Sequence, residues 1–190
     1  FSPGLLNNIA PPSPSFLEGK KRAMQDKAEY LQNGDSSLKP LFLQAFAQSN
    51  EELESLSNRL FFMDSLSLRI LNDMDVETII RQRRQNAALL HRRLQGGQDI
   101  RPWFVLSAED CPLFVPVLLK DTATRESLRR HLIEKSIFCP VHWPYYEAGG
   151  IPKRNKAMYE RELSLVCDQR YGANEMKTIS EEIACWKSSR

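Results

Sequence analysis

No stretch of this chain approaches the run of about 18 apolar residues that a bilayer-crossing helix takes; the nearest, Pro112 to Leu119, is far too short, which excludes a membrane span. The opening Phe1-Ser2-Pro3-Gly4 has neither the charged start nor the apolar run of a signal peptide, and a first residue other than Met gives the expectation that the chain is cut from something longer. Charge of one sign is also missing. Twenty-six Lys and Arg stand against 24 Asp and Glu, and a net charge of +2 offers no general field to recruit nucleic acid or an acidic membrane. Cysteine is sparse: Cys111, Cys139, Cys167 and Cys185 lie far apart, with no C-x-x-C pair and no histidine cluster, so the ligand spacing of a zinc site is absent and no metal is expected. Each cysteine sits in or beside an apolar segment, and a chain of 190 residues can build a core without cross-links. Four reduced, mostly buried thiols in a reducing, cytoplasmic compartment follow as the expectation.

What is present has a clear grammar. Pro3, Pro11, Pro12 and Pro14 with Gly4 suit an extended lead-in over residues 1 to 15. Phe16, Ala23, Ala28 and Leu31 among charged residues predict a helix to Gln32, broken by Asn33-Gly34-Asp35. A second helix is expected over Leu41 to Leu60, interrupted near Ser49 and Asn50. The clearest begins at Asp75, whose carboxylate can cap exposed amides, and runs through Val76, Ile79, Ile80, Ala87, Leu90 and Leu94 to Gly96-Gly97. Its other side carries Arg81, Arg84, His91 and Arg92, either a phosphate-binding stripe or, more commonly, a solvated face.

After Gly97 the pattern turns to strands. Trp103 to Leu106 and Leu113 to Leu119 predict a hairpin around Ser107-Ala108-Glu109-Asp110. Thr124 is expected to cap a helix carrying Leu128, Leu132 and Ile133, which leads into a third strand, Ile137 to Val141. A short helix near Ala157 to Arg161, a strand Leu163 to Cys167, a turn Asp168 to Gly172 and a helix with Met176, Ile179, Ile183 and Trp186 on one stripe complete the chain. This order predicts an α/β fold, a two-layer sandwich of a small mixed or antiparallel sheet with helices on one face.

Three stretches in one order resemble the C-terminal half of the DegT/StrS family of sugar aminotransferases. The first is Leu68-Arg69-Ile70-Leu71, then Asp75, Arg83-Arg84-Gln85-Asn86 and Leu94, similar to the long helix joining the large and small domains. The second is Pro112-Leu113-Phe114-Val115-Pro116-Val117, followed by the helix over 125 to 135 and Phe138-Cys139-Pro140-Val141-His142-Trp143-Pro144, similar to a strand end that faces the active site. The third, Leu163-Ser164-Leu165-Val166-Cys167-Asp168-Gln169-Arg170-Tyr171 and then Met176 and Ile179, resembles the closing strand, turn and terminal helix. The resemblance covers residues 65 to 190 well and 16 to 60 loosely. It implies the small domain of the aspartate-aminotransferase fold, divided as follows: 1–60, a lead-in and helical connection from a missing large domain; 61–97, the linking helix region; 98–190, the small α/β domain.

The same resemblance implies that the parent is a homodimeric pyridoxal-phosphate aminotransferase acting on a nucleotide-linked keto sugar in polysaccharide biosynthesis, with an amino-acid donor. Such an enzyme needs a lysine for the Schiff base, an acid at the pyridine nitrogen and donors for the phosphate, which the family draws from its large domain. Ser15-Phe16-Leu17-Glu18-Gly19-Lys20 matches the family's serine, phenylalanine and lysine spacing, but the glycine-rich stretch that should follow is absent and Lys20 continues into a charged helix. The fragment is therefore expected to be inactive and to hold no cofactor. What it can supply is one wall of the cleft. His142, fixed between Pro140 and Pro144, either offers a hydrogen bond to a phosphate, hydroxyl or cofactor group or packs at the domain junction. Trp143 and Tyr145, with Tyr146, either stack on a sugar or base or bury themselves against the large domain. Arg84 and Asn86 are expected to face the junction, as cleft groups or as a structural ion pair and cap, and Arg170 to stabilise its turn. The alternative is a non-enzymatic α/β binding or assembly module; nucleic-acid binding through the arginine stripe lacks a supporting motif.

Overall fold

The computed structural model describes residues 9–10, 13–55, 60–95, 99–142, 152 and 155–189. Its chain divides into two compact units, Phe1–Met74 and Asp75–Arg190.

In the first unit, β1 (Ile9–Ala10) precedes helices α1 (Pro14–Asn33) and α2 (Leu38–Ser55), and β2 (Leu60–Phe61), parallel to β1, leads into α3 (Ser65–Asn72). Ser13 caps α1 by accepting the Phe16 amide, with Pro14 entering the first turn where no amide bond is lost. Gly34 ends it at φ 70°, the left-handed conformation that costs glycine least. The interruption expected near Ser49 does not occur and the helix stops short of Leu60. Ser49 turns its hydroxyl back to the Ala45 carbonyl at 2.8 Å, so it competes with nothing in the helix. It sits where Gly19 of α1 comes closest, a side chain on Gly19 meeting Ser49 Oγ at 2.8 Å. Asp64 caps α3, accepting the amides of Leu66 and Ser67.

The second unit opens with α4 (Val76–Leu94), capped as expected by Asp75 through the Thr78 amide at 2.9 Å. Then come β3 (Ile100–Pro102), β4 (Phe114–Leu119), α5 (Thr122–Glu134), α6 (Lys156–Arg161), β5 (Glu162–Val166) and α7 (Ala173–Ser188). The sheet is antiparallel in the order β3-β4-β5, with Val117 opposite both Pro102 and Leu163. Strand alternation turns Val115, Val117, Leu119, Leu163 and Leu165 inward, where they meet Ala87 and Leu90 of α4, Leu128 and Leu132 of α5, and Met176, Ile183 and Trp186 of α7. Each fully buried aliphatic side chain there contributes about 1.5–3 kcal/mol. The α/β sandwich read from the sequence is thus the fold found.

Three local expectations are corrected. The strand expected at Trp103 to Leu106 is instead β3, which ends at Pro102. Pro116, the residue beside Trp103, accepts the Trp103 amide at 2.9 Å but has no N–H to return, and the ladder stops there. Ile137 to Val141 forms no strand, although Pro140 takes the Ser164 amide at 3.0 Å on the free edge of β5; Pro140 likewise has no amide to continue the pairing. Helix α5 is capped by Asp121, which accepts the amide of Thr124 at 2.7 Å, and Thr124 lies inside the first turn.

Candidate functional site

The sheet has a second face, turned away from α4, α5 and α7. β4 presents Phe114 and Pro116 there, and β5 presents Glu162 and Ser164. Around them stand Trp103, Phe104, Pro112, Leu113, His142, and Met158 and Tyr159 of α6, enclosing a cavity of about 430 Å³. Its walls are chiefly aromatic and apolar, with one polar cluster at the sheet.

That cluster is a hydrogen-bonded chain. Glu162 is 2% exposed and Ser164 3%. The Ser164 hydroxyl donates to Glu162 Oε1 at 2.5 Å, and the His142 amide donates to Glu162 Oε2 at 3.0 Å. His142 Nδ1 lies 3.0 Å from Ser164 Oγ, and the imidazole is tilted against the Phe114 ring with centroids 4.6 Å apart. With its proton given to the carboxylate, Ser164 can only accept from the imidazole, so His142 carries a hydrogen on Nδ1. The hydroxyl stands between acid and imidazole, whereas a nucleophilic triad places the imidazole in the middle; Ser164 is held rather than activated. Cysteine chemistry is no nearer. Burial pushes the Cys139 thiol up to about 11 and the Cys167 thiol up to about 12, far from a thiolate at neutral pH.

The structure brings one predicted site residue, His142, to this cavity and places two others elsewhere. Arg84 is committed to backbone, donating to the Glu109 carbonyl at 2.8 Å and the Asp110 carbonyl at 3.1 Å. Asn86, 1% exposed, donates its amide to the carbonyls of Cys167, Asp168 and Tyr171 and accepts from Gln82. Both hold loops, those after β3 and after β5. Trp143 and Tyr145, with Tyr146, lie outside the described residues. Arg170 forms a fork to Asp168, 2.9 and 2.6 Å, as a turn-stabilising group does. On the arginine stripe of α4, Arg81 and Arg92 are exposed, while His91 is bonded to the Phe104 carbonyl at 2.9 Å. Sequence reasoning missed Glu162 and Ser164. The signal was there in Glu162-Leu163-Ser164-Leu165, where polar residues alternate with leucines opposite Leu118 and Pro116, so the face they share is itself apolar and covered.

Among the described residues no lysine lines the cavity. Lys20, in the first unit, lies on α1 with its Nζ 2.6 Å from Asn50 Oδ1 and 5.3 Å from the centroid of the Phe46 ring, the setting of a held ammonium. These residues do not by themselves fit pyridoxal phosphate, which needs a lysine at the reacting carbon and a cradle for its phosphate. Among the described residues no group of three or more His, Cys, Asp or Glu is placed to hold a metal, and no helix is long and apolar enough to cross a membrane.

No protein-family model matches this sequence, and no curated protein does either. Solved structures do. The aminotransferase TlmJ from Streptoalloteichus hindustanus is similar over 66% of this chain and 35% of its own, at 21% identity and a TM-score of 0.50. The sugar aminotransferase CalS13 from Micromonospora echinospora is similar over 58% of this chain and 31% of its own, at 17% identity and a TM-score of 0.51. PseC of Helicobacter pylori, an aminotransferase of pseudoaminic acid biosynthesis, gives 58% and 33%, at 16% identity and a TM-score of 0.52. The chain thus spans about a third of the length of the aminotransferases it matches, and shares with them the fold of that third.

Proposed function

We propose that this chain is the C-terminal part, small domain and connecting helices, of a pyridoxal-phosphate aminotransferase acting on a nucleotide-linked keto sugar in cytoplasmic polysaccharide biosynthesis, and that alone it does not transaminate. The observation that carries the reading is the fold shared with a third of several aminotransferases, found independently of the three sequence stretches that resemble the same family. One feature agrees with it. Helix α3 buries none of its residues and exposes Leu68, Ile70 and Leu71, as an element does when its packing partner is a further domain of the same polypeptide. In this reading the large domain supplies the lysine and phosphate donors, and the parent works as a homodimer.

In this reading His142 stands on the cleft wall, Trp143 and Tyr145 are further candidates for it by their place in the sequence, and Arg84 and Asn86 keep the flanking loops in place. The test is amino transfer from glutamate to nucleotide-linked keto sugars by the parent polypeptide. His142→Ala is expected to raise KM for the sugar roughly tenfold, the worth of one good hydrogen bond, with a smaller change in kcat. A parent that aminates none of these sugars contradicts the reading; unchanged KM in the variant removes His142 from the cleft.

A further inference from the structure

The segment that carries His142 is pinned to β5 at three points. The Ser164 amide donates to the Pro140 carbonyl at 3.0 Å, the His142 amide donates to Glu162 Oε2 at 3.0 Å, and the imidazole Nδ1 lies 3.0 Å from Ser164 Oγ. The Phe114 ring lies against the imidazole, centroids 4.6 Å apart. Burying a hydroxyl and a carboxyl behind one ring is costly unless their bonds are made, and here both come from one strand, two residues apart.

These bonds have a direction. A backbone amide can only donate, so Glu162 Oε2 accepts; the Ser164 hydroxyl gives its hydrogen to Oε1 at 2.5 Å, and Ser164 Oγ then has only lone pairs to offer the imidazole. A neutral imidazole that donates from one nitrogen accepts at the other. We propose that Glu162 and Ser164 are positioning residues, which fix His142 as the Nδ1–H tautomer and so make Nε2 an acceptor matched to a hydroxyl of the sugar. Both act through the imidazole. The match to a sugar rests on the proposed function; the tautomer does not.

Glu162→Gln keeps size and shape but has one accepting and one donating end. The accepting end must face the His142 amide, so the donating end faces Ser164, the hydroxyl turns its hydrogen to Nδ1, and the imidazole carries its own on Nε2.

The test is two-bond nitrogen–proton correlation NMR of the chain labelled at its 3 histidines, with the His142 signals identified by their loss in His142→Gln. It is recorded at about pH 9, above the range in which histidines ordinarily titrate. The native chain is expected to show Nδ1–H and the Glu162→Gln chain Nε2–H. In the parent polypeptide the same variant should raise KM for the sugar roughly tenfold, with a smaller change in kcat. Should Glu162→Gln not fold, Ser164→Ala serves in its place and is expected to lose the Nδ1–H form, whereas Ser164→Thr, which keeps the hydroxyl, retains it. The proposal is overturned if the native imidazole carries its hydrogen on Nε2, if the folded Glu162→Gln chain keeps the native tautomer, or if the tautomer changes while KM does not. A parent that aminates no sugar, with the tautomers as expected, fails the proposed function and leaves the positioning intact.

Discussion

At the scale of single residues, the second unit is organised by side chains that give up their own freedom to hold backbone or one another. Asp168 shows how pH enters. It is 4% exposed, and the Arg170 fork and amide hold its carboxyl below the usual carboxylate range. Because the folded value is the depressed one, the stabilisation is fully present above the unfolded value of about 3.9 and is lost as pH falls through the folded value. Asp168→Asn is therefore expected to cost about 1–2 kcal/mol near neutral pH, measured by urea unfolding, and the gap between variant and native chain should close at acid pH. A gap independent of pH would mean that packing, not charge, is what the residue supplies. His142 was legible from its place between Pro140 and Pro144 in the sequence. Its partners were not, since the bond from Ser164 to Glu162 depends on which face of β5 is covered, and that is decided by α6 and the chain around Trp103.

Between elements, the inward periodicity was the legible part. Val115, Val117 and Leu119, and the Met176, Ile179, Ile183 and Trp186 stripe, fall on buried faces because apolar alternation and apolar helical spacing are each compatible with one orientation only. Strand ends were harder to read. Propensity marked Trp103 to Leu106 as strand, but hydrogen bonding is a property of pairs, and the missing amide of Pro116 on the adjacent strand ends β3. The same holds for Pro140 beside β5. Asn86 is the clearest link between elements, tying α4 to the turn from β5 into α7 through three carbonyls. Asn86→Leu is expected to destabilise the chain by about 3 kcal/mol in chemical unfolding, since it removes these donors and leaves buried acceptors without them. A loss below about 1 kcal/mol would show that the turn is held by Arg170 and Asp168 without it.

For the whole molecule, three short stretches pointed to one enzyme family, and the fold agrees with them at identities of 16 to 21%. The agreement has a physical basis. Residues 75 to 190 carry the sheet, the helices over it and the turns between them, so their spacing encodes a packed unit whose pattern survives large sequence change. The first unit was less legible because α1 and α2 pack chiefly on each other through Ala23 and Phe42, and much of their apolar surface, Met24, Leu31, Leu41 and Leu43, stays exposed and gives no pattern of its own. As proposed, the chain holds one wall of an aminotransferase cleft and not its reacting lysine. The direct test is the near-ultraviolet and visible absorbance of the purified chain mixed with pyridoxal phosphate, before and after borohydride reduction, followed by peptide mapping. No stable adduct at any one lysine is expected. A reducible adduct confined to Lys20 would contradict it and make this chain a cofactor-binding unit in its own right.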